Sequence, residues 1–234
     1  MQSEVFEHVR QYDRDHFVCS LFISKSIRHY YLTLYAFNIE INNIIYNYSE
    51  AMVALVRLKW WREKIDMIYS NKIVNNNGII SELANLIHIT ALPKSLIDRY
   101  LDGYEQMVCH CTGRNVEKFA EQTTVNLIKM LFTIVNYRND QLAYHCGSAW
   151  HLMTSLRNAK EISKLDKEEI IEKSVYHVKQ TEELIKTAPR EIVKIALQVK
   201  LADLYLKHKN FNSEINLIMQ IKMLFYYIFW PKLL

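Results

Sequence analysis

The sequence predicts an all-α fold, and three observations carry that prediction. Only 4 Gly and 3 Pro occur in 234 residues, against average usages of about 7% and 5%. The turns that many short strands demand have no residues to make them, whereas long helices need few breaks. Half of the residues are hydrophobic, which excludes disorder and is enough for one substantial core. Apolar residues recur at helical spacing, as in Leu58, Trp61, Ile65 and Ile68. No internal repeat or linker interrupts the chain, so residues 1–234 are expected to form one domain of nine to eleven helices.

Residues 1–12 read as a short amphipathic helix. In the following run, YDRDHF, Asp13 and Asp15 are placed to cap the helix that carries Phe17, Leu21 and Phe22. Two aspartates this close are also candidate metal ligands, but capping is the commoner use. Long helices are expected over 25–48 and 50–69, and the Asn-rich 70–78 segment is a loop. A helix over 79–89 ends before Pro93, which suits the first turn of the next helix, running to about Cys111. Helices over 116–136 and 140–157 follow. Gly147 and Ala149 inside the second predict that a neighbouring helix comes close. The 166–188 helix is strongly charged, whereas Ile192, Ile195, Ala196, Val199 and Leu206 make a regular apolar face. The apolar stretch Leu217–Trp230 reads as a buried terminal helix. It is too short to span a bilayer and is interrupted by Lys222, which leaves a membrane-surface contact open.

The net charge of +4 is small, and basic residues alternate with acidic ones, as in KLDKEEIIEK at 164–173. That is a solvated helix face and not a nucleic-acid stripe. Cys19, Cys109, Cys111 and Cys146 lack zinc-ribbon spacing. In Cys109-His110-Cys111 the two sulfurs diverge on a helix. Buried, reduced cysteines and a cytosol-like compartment are expected. The N-terminal MQSEVFEHVR has no apolar segment of signal-peptide type.

The stretch from Leu32 to Asp66 carries the polar residues with most to explain. Tyr35, Ala36, Ile39 and Asn42 share one stripe, and Asn42 and Tyr46 lie one turn apart. On the next helix Arg57 and Arg62 flank Trp60 and Trp61, which at this spacing are expected in the core. A polar strip through an apolar helix pair predicts a pocket wall, with Tyr35, Glu40, Arg57, Trp61, His151 and Arg157 as candidate lining residues. Simple structural roles are also available. Arg62 has Asp66 at i+4, Glu40 could pair with Arg57, and His151 could be a satisfied core histidine.

YDRDHF, IRHYYLTLYAFNIEI, VRLKWWREKID and HCGSAWHLMTSLRN together resemble, in order and spacing, the squalene/phytoene synthase family. Within it the chain is most similar to the mitochondrial complex I assembly factor 6 branch and its bacterial relatives. The resemblance implies an isoprenoid-synthase helical bundle. In active members two acidic motifs face each other across an apolar pocket and hold Mg²⁺ against a prenyl diphosphate. Where D-D-x-x-D is expected, this chain reads Asn42, Asn43, Ile44, Ile45, Tyr46. Where R-D-x-x-E-D is expected, it reads Arg157, Asn158, Ala159, Lys160, Glu161, Ile162.

Asn contributes no negative charge, Tyr46 is a poor Mg²⁺ ligand and Ile162 is none. Met107 stands where the family has an aspartate, and the basic segment after the second motif is shortened between Lys160 and Asp166. Asn42, Asn43, Tyr46, Asn158, Glu161 and Ile162 are therefore vestigial positions, with no confident catalytic or metal-binding residue. The resemblance implies a non-catalytic binding or assembly factor with a protein partner, such as a respiratory complex I subunit or assembly intermediate. It would act in the cytoplasm or its matrix equivalent, at the edge of the inner membrane. An apolar or isoprenoid ligand is a further expectation. The alternative is an active synthase joining two prenyl diphosphates head to head, with Mg²⁺ as cofactor and Glu40, Asp140 or Glu161 as replacement carboxylates.

Overall fold

The computed structural model describes residues 4–47, 50–72, 78–109, 116–157, 164–208, 211 and 215–233. Among these the chain forms thirteen α-helices, one 3-10 turn and no strand. They are α1 (Glu4–Tyr12), α2 (Arg14–Ser20), α3 (Lys25–Asn47), α4 (Ala51–Tyr69), α5 (Ile79–Thr90), α6 (Lys94–Cys109) and α7 (Val116–Gln122). Next come α8 (Thr124–Ile134), α9 (Asp140–Arg157), α10 (Lys164–Leu184), α11 (Arg190–Ile195), α12 (Leu197–His208) and α13 (Leu217–Leu233).

Breaks within two stretches account for the higher count. The 116–136 stretch breaks at Thr123, whose backbone (φ −108°, ψ −81°) leaves the helical region. Its hydroxyl donates to the Phe119 carbonyl at 2.6 Å, finishing α7. The apolar face from Ile192 to Leu206 is carried by two helices, with the break at Ala196, where ψ is −2°.

α8 forms the centre of the bundle. It packs against α9 on one side and α3 and α6 on the other, and nearly all its side chains from Val125 to Phe132 are buried. Gly147 of α9 makes this possible. A Cβ there would lie 2.7 Å from Val125 Cα and 2.8 Å from its backbone N, closer than real atoms approach. The close approach expected at Gly147 is thus a contact between α9 and the backbone of α8. Gly103 of α6 does the same for the α7–α8 junction, 2.8 Å from Gln122 Cβ and 2.9 Å from Thr123 Cγ2.

α12 was expected to be amphipathic and is instead buried all round from Leu197 to Leu206. Its polar residues survive there because each is matched. Lys200 bonds Glu182, Asp203 accepts from Lys207 at 2.6 Å, and Gln198 joins a network described below.

Other expectations need correction. Asp13 is the N-cap of α2, accepting from His16 N at 3.0 Å, whereas Asp15 is buried in the core. Trp61 is buried, but Trp60 is half-exposed on the outer face of α4. Arg62 does not pair with Asp66 of its own helix. It reaches across to α6, to Asp102 (2.8 Å), Glu105 (3.1 Å) and Asp98 (3.5 Å), while Asp66 takes Lys94 at 2.9 Å. Cys19 and Cys146 are buried thiols, but Cys109 is exposed, because it ends α6 at the surface. His110 and Cys111 lie outside the described residues.

α13 is not a buried helix. It sits at the edge of the bundle against α12 and α11 and covers only one face. Met219 and Met223 point inward, while Leu217, Ile218, Ile221, Leu224, Phe225 and Ile228 are exposed.

Candidate functional site

The polar strip of α3 meets α6. Asn38 and Asn42 stand one turn apart on α3, and Tyr100 and Tyr104 stand one turn apart on α6, so the two pairs face each other in register. The Tyr100 hydroxyl donates to Asn38 Oδ1 at 2.8 Å, and the Tyr104 hydroxyl donates to Asn42 Oδ1 at 2.8 Å. The two hydroxyls are 3.4 Å apart, which makes a ladder of four side chains. Both rings are buried, and burial raises the Tyr100 hydroxyl well above its ordinary pKa, so it is held as a neutral donor.

Beyond Tyr104 the strip becomes aromatic. Phe119 of α7 packs edge-on against Tyr104 (centroids 5.4 Å) and against His151 of α9 (5.2 Å). His151 Nδ1 lies 3.1 Å from the Thr124 hydroxyl. Burial pushes the imidazole down to about 4, so it is neutral at physiological pH.

The remaining candidates divide into two groups. Tyr35 turns away from the ladder into a buried network. Its hydroxyl donates to Gln198 Oε1 at 2.6 Å, and its ring stacks on His16, with centroids 3.8 Å apart. His16 contacts Gln198 Oε1 at 2.9 Å and Asp13 Oδ2 at 2.7 Å, and Gln198 Nε2 reaches Cys146 Sγ at 3.6 Å. Beside it, Arg157 Nη1 donates to Asp15 Oδ2 at 2.7 Å, and the Tyr205 hydroxyl donates to the other Asp15 oxygen at 2.7 Å. The Arg157 guanidinium also lies 4.2 Å over the Tyr205 ring. Arg157 therefore serves an internal carboxylate.

The second group does not converge. Arg57 is on the exposed face of α4. Glu40 lies 3.1 Å from His8 Nε2, and that contact replaces the expected Arg57 pairing. Trp61 packs edge-on against Phe37 in the core (5.2 Å). Asp140 is exposed, 3.0 Å from Lys129, at the opposite end of α9 from Arg157, about 25 Å away at 1.5 Å per residue. Asn43 is partly buried on α3. The Tyr46 side chain and all of Asn158, Glu161 and Ile162 lie outside the described residues.

Sequence reading missed Asn38, Tyr100, Tyr104 and Gln198. The i,i+4 spacing of Asn38–Asn42 and of Tyr100–Tyr104, with Gly103 between the tyrosines, was the signal that could have paired α3 with α6. It also missed a groove of about 420 Å³ at the far end of α9. Glu117, Tyr144, His145, Lys173, Tyr176 and His177 line it. There His145 Nδ1 and His177 Nδ1 are 2.9 Å apart, one donating and one accepting, an arrangement two neutral rings can share. Burial pushes His177 down to about 4 and lowers His145 as well.

Mg²⁺ asks for hard, usually anionic oxygens in an octahedral arrangement. At the first motif position the described donors are amide oxygens, and that of Asn42 already accepts a tyrosine proton. Among the described residues no three His, Cys, Asp or Glu side chains converge as metal ligands. The described residues of the first motif thus offer neutral oxygens and no carboxylate.

The squalene/phytoene synthase family pattern matches residues 9–171. Three relatives are named NADH dehydrogenase (ubiquinone) complex I, assembly factor 6, or its homolog. The Drosophila melanogaster protein is 27% identical over 160 residues, covering 64% of this chain and 48% of the relative. The Bos taurus protein is 28% identical over 157 residues (64% and 47%), and the Homo sapiens protein is 26% identical over 157 residues (64% and 47%). The match thus spans about half the length of these curated relatives. A dehydrosqualene synthase crystal structure superposes with a TM-score of 0.78 over 98% of this chain and 96% of its own, at 10% identity. At that identity the likeness shows the fold. The family match extends over well more than half of the chain, and on that extent this chain belongs to the squalene/phytoene synthase family.

Proposed function

We propose that this protein is a non-catalytic member of its family that works by binding a protein partner, as an assembly factor. The observation that carries the reading is the ladder. The first metal-motif position is occupied by Asn42, and its oxygen is used by Tyr104 from within the fold. A site for a prenyl diphosphate needs several cations to offset its charge, and this strip offers neutral amides and hydroxyls instead. The relatives' names supply the partner class: a subunit or assembly intermediate of NADH dehydrogenase complex I. Fold alone would not give it. The same proposal places the protein in the cytoplasm or its mitochondrial matrix equivalent, at a membrane surface. No helix among the described residues is long and apolar enough to cross a membrane. No Mg²⁺ is needed, and an apolar or isoprenoid ligand would be bound, if at all, without being turned over.

The test has two arms. Purified protein incubated with farnesyl or geranylgeranyl diphosphate and Mg²⁺ should release no pyrophosphate, and tagged protein should co-purify with complex I subunits or an intermediate. Product formation above the level of an Asn42→Leu control would overturn the non-catalytic reading and restore head-to-head prenyl transfer. Turnover without complex I subunits in the pull-down would remove the assembly role as well.

A further inference from the structure

The groove at the N-terminal half of α9 belongs neither to the α3–α6 strip nor to the Asp15 network. Its core is a repeated dipeptide, Tyr144-His145 on α9 and Tyr176-His177 on α10. His145 meets His177, and the Ala149 carbonyl accepts from the Ser174 hydroxyl. Residue number rises on one helix as it falls on the other, so the helices run antiparallel and the two dipeptides meet. Each tyrosine ring packs edge-on against both imidazoles, at 5.2 and 5.4 Å for Tyr144 and 5.9 and 5.3 Å for Tyr176.

Both imidazoles are held neutral by burial, and a neighbouring carboxylate sets their tautomers. Glu117 Oε1 lies 4.0 Å from His177 Nε2, which favours hydrogen on that nitrogen. His177 Nδ1 is then the acceptor and His145 Nδ1 the donor of the bond between the rings. His145 Nε2 is left as a bare lone pair. The side chain is 7% exposed and lines the groove. No described residue bonds this nitrogen, yet it is not sealed from solvent, so it opens into the groove.

The charge around it is negative. Glu117, Glu172 and Lys173 line the groove. Lys173 is held by Glu117 at 2.9 Å and by Glu169 at 2.8 Å, whereas Glu172 has no ion-pair partner among the described residues. Burial and the Glu117 and Glu121 carboxylates raise the Tyr144 hydroxyl above its ordinary pKa, and Lys173 offsets them only in part. A lone pair asks for an N–H donor, tyrosine faces favour a cation, and the carboxylates exclude an anion. A metal ion is poorly served, since no three ligating side chains converge among the described residues. A guanidinium is flat, stacks on aromatic rings and donates from several edges at once. The groove volume of about 420 Å³ is in the usual range for small ligands, about 300–1,000 Å³.

We propose that the groove walled by α7, α9 and α10 binds a guanidinium group, packed against Tyr144 and Tyr176 and donating to His145 Nε2, with Glu172 at its open edge. The site does not depend on the assembly role, and it would stand for a free guanidinium compound as well as for an arginine of a partner chain.

Titration of the full chain with N-acetyl-arginine amide, followed by NMR of the tyrosine and histidine ring protons, tests it. Binding should saturate with a Kd of about 1 mM, as a few weak contacts allow. N-acetyl-citrulline amide keeps the shape without the charge and should bind at least about tenfold more weakly, and N-acetyl-lysine amide about threefold. Tyr176→Ala removes a ring already 54% exposed and should weaken binding about fivefold, with an unchanged melting temperature. Trp60→Ala, a half-exposed aromatic of α4, should bind like the parent. His145→Phe removes the lone pair and should cost about tenfold; if that variant is unstable, the Tyr176 and citrulline comparisons decide. Free L-arginine binding more tightly than the capped form assigns the site to a small molecule, and equal or weaker binding assigns it to a partner's side chain. No saturable shift up to about 50 mM probe, equal binding of the citrulline form, or parent-like binding by Tyr176→Ala would overturn the proposal. So would Zn²⁺ alone shifting these rings while the arginine probe does not, which would give the histidine pair to a metal.

Discussion

Two buried polar regions flank the middle of this bundle, and they are built in opposite ways. Around Asp15 the core keeps charge: a carboxylate 5% exposed is held by Arg157 and Tyr205 from two other helices. Along the α3–α6 strip, where the family places its acidic metal motif, the polar groups are neutral: Asn38, Asn42, Tyr100 and Tyr104. Charge in a folded interior is costly unless paired. Here the paired charge is structural, and the α3–α6 strip holds neutral amides and hydroxyls where the family resemblance implies metal-binding carboxylates. The two regions therefore differ in where charge is retained, and polarity alone does not tell them apart.

The comparison can be broken most severely at Arg157. Arg157→Met strands the Asp15 carboxylate in the core and should cost about 3–5 kcal/mol in urea unfolding, and adding Asp15→Asn should recover a good part of it. A loss below about 1 kcal/mol for the single variant would mean that Asp15 is not held by this pair.

Acid should act on the neutral side. His151, at the end of the strip, and His177, in the groove, both have pKa values pushed down to about 4 by burial, against about 6.5 when unfolded. Between these values the unfolded chain binds protons that the native chain refuses. Stability is therefore complete above about pH 6.5 and falls, by a few kcal/mol, as pH drops toward 4. His151→Gln and His177→Gln should each remove about one proton from the slope, measured by urea unfolding at several pH values.

Gly147→Ala should damage both regions together, since it pushes α9 off the α8 backbone that separates them. The expected loss is about 1–3 kcal/mol, with a matching fall in melting temperature. Tyr104→Phe is milder, about 0.5–1.5 kcal/mol, and should leave the Arg157 region intact. The smallest effect is the most pointed. Asn42→Asp should produce no Mg²⁺ binding by calorimetry, with or without pyrophosphate, because one carboxylate among neutral amides and hydroxyls does not make a site for the ion.

How much of this was legible depends on the range of the interaction. Helix identity followed from the scarcity of Gly and Pro and from apolar spacing, which are local properties. The loss of carboxylates at 42, 43 and 46 could be read directly, and so could the tight approach at Gly147. Partner choice could not. Tyr35 bonds Gln198 and Arg157 bonds Asp15 across more than a hundred positions of chain, and no periodicity encodes such a pairing. Arg62 shows the same limit on a smaller scale. Asp66 was correctly spaced on its own helix, but α6 offered three carboxylates within reach of one guanidinium. The outward face of α13 was hidden for another reason: its inner and outer residues are equally apolar, so only packing tells them apart.

The tyrosine ladder also bears on history. A lost metal ligand is easily regained while its place stays open, for a single codon change restores the carboxylate. With Tyr104 already bonded to the position, the same change places a new carboxylate against the hydroxyl and among neutral amides. Recovery would need the tyrosines displaced and the acidic set rebuilt together, with nothing gained at the intermediate steps. In this chain the ladder thus ties the motif position to the packing of α3 on α6, so a change at residue 42 is felt first as a change in how two helices hold together.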